Sequence, residues 1–84
     1  MLTILDIQSC YKIKTLDGFP NLEFLNCHRT AVEQLKDLDH LTYLNCSGTG
    51  LRELSYMPNL KNLYAFGCHH LSLMHQQKKI MDAS

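Results

Sequence analysis

Residues 41–51 read LTYLNCSGTGL, and every apolar position in that stretch returns elsewhere in the chain. Leu41 has counterparts at Leu2, Leu22 and Leu60, and Leu44 has them at Leu5, Leu25 and Leu63. Cys46 aligns with Ile7, Cys27 and Ala65, and Thr49 with Cys10, Thr30 and Cys68. Leu51 closes the stretch as Ile13, Val32 and Leu71 close theirs. The interval is 19 or 20 residues throughout the 84-residue chain. Self-similarity at such a period signals units that cannot bury a core alone and must stack to make one.

The two interval lengths have one origin. The first and last units space their Cys and closing aliphatic as C-x-x-I (Cys10, Ile13) and C-x-x-L (Cys68, Leu71). The middle units are one residue tighter, Thr30 to Val32 and Thr49 to Leu51. Eight residues then remain in each unit, with an apolar pair at Leu16/Phe19, Leu35/Leu38 and Leu54/Met57. The last unit keeps Met74 but has Gln77 at the second place. The chain thus divides into repeats 2–21, 22–40, 41–59 and 60–79 within a single domain, followed by a tail, 80–84.

Alternating apolar and polar residues around Leu44 and Cys46 predict a short strand with one buried face. Such strands, one per unit, predict a parallel sheet with the chain returning along the other side. Beyond each strand the chain must turn inward, where unpaired backbone groups would be costly. A Thr hydroxyl can satisfy them; a Cys thiol does so weakly but packs well. Pro20 and Pro58 end their units in an extended or turning chain.

This pattern resembles the leucine-rich repeat family, whose signature L-x-x-L-x-L-x-x-N/C-x-L maps onto Leu41, Leu44, Cys46, Thr49 and Leu51. The resemblance spans residues 2–79, and the outer units are similar to the cysteine-containing variant of the family. No unit has Asn at the ladder position; Cys or Thr stands there instead. The resemblance implies an α/β solenoid with four short parallel strands on one face, short 3₁₀ or irregular convex segments, and little α-helix. Eight-residue remainders leave room for 3₁₀ turns or extended chain, not for multi-turn helices.

Eight basic residues balance eight acidic ones, so no electrostatic pull toward nucleic acid or an anionic membrane is expected. No apolar run approaches the ~20 residues of a membrane span, and Asp6 interrupts the N-terminus too early for a secretory segment. The expected location is intracellular and reducing, the cytoplasm in the simplest case. Cys10, Cys27, Cys46 and Cys68 all occupy repeat positions, which predicts four free, buried thiols rather than disulfides. His28, His69, His70 and His75 read as surface residues, because no second ligand pair accompanies them at zinc spacing. No metal or cofactor is expected. Nor is catalysis: there is no phosphate loop, G-x-S-x-G or H-E-x-x-H, and Gly48 and Gly50 suit the turn around Thr49.

Two places remain for a partner. Residues between the buried strand positions form three ladders on the exposed sheet face. They are Ile4, Phe24, Tyr43, Asn62; then Asp6, Asn26, Asn45, Tyr64; then Gln8, His28, Ser47, Phe66. Four aromatics and no Lys or Arg lie among them, a composition suited to protein binding and equally to cross-strand stabilisation. Leucine-rich-repeat relatives commonly bind proteins on this face. The second place is the ends. Nothing in the sequence precedes the Leu2 unit, so Leu2 and Leu5 should be open to another chain, while Ile80 either starts a fifth strand or folds over the far end. The leading expectation is a non-enzymatic protein-interaction module acting through the sheet face. The alternative is a small structural subunit docked through its ends, by self-association or within an assembly. Compact Cys/Thr-laddered repeats are similar to those in proteins of large DNA viruses and some bacteria, which implies a virion or shell component under that alternative.

Overall fold

The computed structural model describes residues 1–16 and 18–84. Four three-residue strands, β1 (Ile4–Asp6), β2 (Phe24–Asn26), β3 (Tyr43–Asn45) and β4 (Asn62–Tyr64), precede one helix, α1 (His75–Ala83). The strands form one parallel sheet in the order β1-β2-β3-β4. Its register joins equivalent positions: Leu5 with Leu25, Leu25 with Leu44, and Leu44 with Leu63. The sequence interval and the spatial register therefore coincide.

Parallel strands usually need a helical crossover. The connections here contain none among the described residues; they turn at fixed places instead. Leu22, Leu41 and Leu60 each donate a backbone N–H to the carbonyl three residues back, on Phe19, Leu38 and Met57. Isolated parallel bridges join Thr15 to Gln34 and Glu53 to Ser72. No 3₁₀ helix occurs among the described residues, so the return path is extended and turning.

Between sheet and return path lies the core. Leu22, Leu25, Cys27, Val32, Leu41, Leu44, Cys46, Leu51 and Leu63 are fully buried. The Thr ladder performs the role its chemistry suggested. Thr30 Oγ1 donates to the Cys27 carbonyl at 2.9 Å and accepts from the Val32 N–H at 3.4 Å. Thr49 repeats this with the Cys46 carbonyl at 2.8 Å and the Leu51 N–H at 3.5 Å. Two polar backbone groups inside each turn are thereby satisfied by one hydroxyl.

The cysteines at the same place behave differently. Cys10 is exposed and Cys68 half-buried, so only Cys27 and Cys46 are the buried thiols expected of all four. The reason is position: Cys10 belongs to the level of β1, which has a neighbouring strand on one side only among the described residues. The Cys68 thiol donates to the Cys46 carbonyl at 3.0 Å, one level back, where Thr49 Oγ1 also donates.

At the far end the chain makes a helix where Ile80 left a strand or a fold-over open. Gln77 is its key residue. It stands at the second apolar place of its unit and is 3% exposed there, as Phe19, Leu38 and Met57 fill that place in earlier units. Its Oε1 accepts from the Met74 N–H at 3.0 Å, and its Nε2 donates to the Ser55 carbonyl at 3.0 Å. The amide satisfies an orphan donor at the start of α1 and ties it to the preceding unit. Ile80 and Met81 then pack against the core.

Candidate functional site

The exposed sheet face is built by strand alternation. Leu5, Leu25, Leu44 and Leu63 point inward, so their neighbours on either side point outward. Phe24 lies beside Tyr43 in register, and Asn45 beside Tyr64. The rings form a chain. Phe24 and Tyr43 are stacked, with centroids 4.4 Å apart and planes 8° from parallel. Tyr43 and Tyr64 are tilted at 5.6 Å, and Tyr64 and Phe66 at 6.5 Å. The stripe runs diagonally, because the aromatic position shifts two residues along the chain between β3 and β4.

This geometry governs what the stripe can hold. Phe24 and Tyr43 each give one π-face to the other, which closes those two faces to a partner and holds the pair as a unit. Each such ring pair also contributes about 0.5–1.5 kcal/mol to the sheet. The stripe both stabilises and displays.

The polar ladder beside it is constrained. Asn26 Oδ1 accepts from the His28 N–H and Asn45 Oδ1 from the Ser47 N–H, each at 3.1 Å. Asp6 Oδ1 accepts from the Gln8 N–H at 3.2 Å. These contacts end each strand with a side-chain-closed turn. They tie the carboxamide oxygens to the following turn and leave the Asn26 and Asn45 NH₂ groups as donors. In the last unit Tyr64 has no such oxygen, and the Phe66 N–H turns to Ser47 Oγ at 2.9 Å. The turns put Ser9, Arg29, Gly48 and Gly67 at φ of 65°, 58°, 70° and 71°.

Of the expected contact residues, Phe24, Asn26, His28, Tyr43, Asn45, Tyr64 and Phe66 form one continuous strip. Phe66 is the most accessible of the rings, 68% exposed. Ile4 and Asp6 lie at its open edge and Asn62 at the other, all exposed. Leu2 and Leu5 belong to the β1 end, away from Ile80 on α1.

One concavity escaped sequence reasoning. A cleft of about 530 Å³ runs past the N-terminal ends of the strands, lined by Glu23, His40, Thr42, Asn59 and Lys61 among others. These residues precede the strands at repeated places, so the ladder logic extended backwards would have found them. Glu23 and Lys61 put opposite charges on the two sides of Thr42.

Inside, the thiols are unreactive by environment. Burial pushes Cys27 up to about 12. Cys46 is pushed up by the neighbouring Cys68 side chain first and by burial second. The same contact draws Cys68 down. Its thiol nonetheless donates to the Cys46 carbonyl, and a thiolate there would meet that oxygen unfavourably, so the protonated form is the one the geometry holds. No group of three or more His, Cys, Asp or Glu side chains is placed to hold a metal among the described residues. No described helix is long and apolar enough to cross a membrane.

Compared with known proteins, the chain matches no family model, no curated protein and no solved structure.

Proposed function

We propose that this chain is a leucine-rich-repeat-like solenoid serving as a non-enzymatic protein-interaction module. Its partner is an extended protein segment lying across the aromatic strip. The observation that carries this reading is the unbroken run of rings Phe24, Tyr43, Tyr64 and Phe66 across the sheet face beside the donor groups of Asn26 and Asn45. Rings and tyrosine hydroxyls supply apolar contact and hydrogen bonding together, and NH₂ groups suit the carbonyls of an extended peptide. Four strands about 4.8 Å apart give a face roughly 15–20 Å across. A short segment fits that width; a globular partner needing about 800 Å² per side does not. Free thiols at four positions agree with a reducing, intracellular setting.

The test is selection from a displayed library of random peptides against the folded protein. Selected peptides should lose binding when Phe24, Tyr43 and Tyr64 are replaced together by Ala, and keep it in Leu2→Asp. Peptides indifferent to the triple substitution in a still-folded protein would place the binding surface elsewhere.

A further inference from the structure

β1 is the outer strand on one side of the sheet, and its bonds to β2 set which way its backbone faces. The Ile7 N–H donates to the Asn26 carbonyl, and the Thr3 carbonyl accepts from the Phe24 N–H. In a parallel strand both main-chain groups of a residue face the same side, and successive residues alternate. Thr3, Leu5 and Ile7 therefore face β2. Ile4 and Asp6 aim their N–H and C=O groups outward, where no strand follows among the described residues. Around this edge Leu2, Ile4 and Tyr11 are 48, 63 and 64% exposed. The opposite edge is closed: the Leu63 N–H of β4 donates to Ser84 Oγ at 2.9 Å, and α1 packs on that strand.

We propose that the β1 edge is a dimer interface, with a second copy of this chain pairing antiparallel, β1 against β1. Three observations select that occupant. Equivalent levels would otherwise permit head-to-tail stacking without end, but that contact needs the outer edge of β4, which Ser84 and α1 occupy. Head-to-head contact uses the same edge twice and closes after two chains. The backbone directions permit it as well. Antiparallel pairing sets outward-facing residues opposite outward-facing residues, so the two sheets continue as one with both cores on the same side. Charge then chooses the register. Centring the pair on Asp6 would oppose two carboxylates directly, which is destabilising, so the axis falls at Ile4 or Leu5, aliphatic against aliphatic. Molecular extents of 28 × 27 × 17 Å keep an end-on contact below the ~800 Å² per partner of a standard stable interface, so the dimer dissociates on dilution.

Sedimentation analysis from about 1 µM to about 1 mM, with reductant, reads this directly. The mass should rise from one chain to two and stop there. Ile4→Pro deletes an N–H that β2 does not use, a substitution edge strands accept. It should hold the mass at one chain with an unchanged melting curve. Ile4→Lys, which alters only an exposed side chain, should do the same without touching the backbone. Tyr43→Ala should leave the dimer intact, separating this interface from the aromatic strip. A single-chain mass at every concentration overturns the proposal. So does growth beyond two chains, or a dimer that survives both substitutions at Ile4.

Discussion

The two ends of the sheet hold the same repeat and finish it differently. At the β4 end Leu63 is fully buried, because Gln77 anchors a helix that lays Ile80 and Met81 on the core and brings Ser84 to the strand edge. At the β1 end Leu5, its equivalent, is half-exposed, and Leu2 and Ile4 face solvent. A repeat buries its leucines only through the neighbour on each side. Closure of an end must therefore come from residues that break the pattern, as Gln77 does.

The largest expected effect compares Leu44 with Leu5. Stability for 84 residues is about 4–12 kcal/mol from per-residue averages. Leu44→Ala should remove about 2–5 kcal/mol, leaving little folded protein. Leu5→Ala should cost less than half as much, since its side chain already meets solvent. Urea unfolding followed by circular dichroism measures both. Equal losses would mean that the β1 end is as well covered as the centre.

Alkali probes the centre by another route. The Cys27 thiol is pushed up to about 12 by burial, from an unfolded value of about 8.5. A raised value means that this contribution is whole below about pH 8.5 and is lost as pH climbs toward 12. Cys27→Ala should flatten the fall in melting temperature across that window. Cys10, exposed at the open end, should react at once with a thiol reagent, whereas Cys27 and Cys46 should wait for unfolding.

The closed end depends on hydrogen bonds more than on shape. Gln77→Leu has an apolar side chain like those at Phe19, Leu38 and Met57, yet it leaves the Met74 N–H and the Ser55 carbonyl without their partners. A loss of about 1–3 kcal/mol with reduced helical signal is expected. A neutral result would show that packing alone seats α1.

The smallest effects lie in the strand-end turns. Gly67 next to β4 and Ser9 next to β1 share the left-handed conformation, at φ of 71° and 65°. Gly67→Ala should cost about 1 kcal/mol, and Ser9→Gly should gain less than that because glycine loses more backbone entropy on folding. Thermal melts of the two variants should shift in opposite directions.

Much of this was legible before folding. Period and alternation placed Leu25, Leu44 and Leu63 in the core and Phe24, Tyr43 and Tyr64 outside it, and the Thr hydroxyls were assigned a role that Thr30 and Thr49 fill. Cys10 and Cys68, expected to be buried, are exposed and half-buried for a reason the repeat does not carry. Position in the unit is written in the interval, but position in the stack is not, and both cysteines sit in the outer units. The cleft past Glu23 and Lys61 is lined from all four levels, by residues just before each strand, and its concavity emerges only when those levels are stacked.

By itself, the sequence determined which side chains go in, which go out, and that equivalent residues become neighbours. Those are properties of local alternation and interval, carried by every unit separately. Only the tertiary structure decided that Phe24 and Tyr43 stack face to face, that the Asn26 and Asn45 oxygens bond the following turn, and that a helix seated by Gln77 rather than a fifth strand covers the β4 end. Each of these depends on distances between atoms a whole repeat apart, or on what lies beyond the last level, and no single unit contains that information.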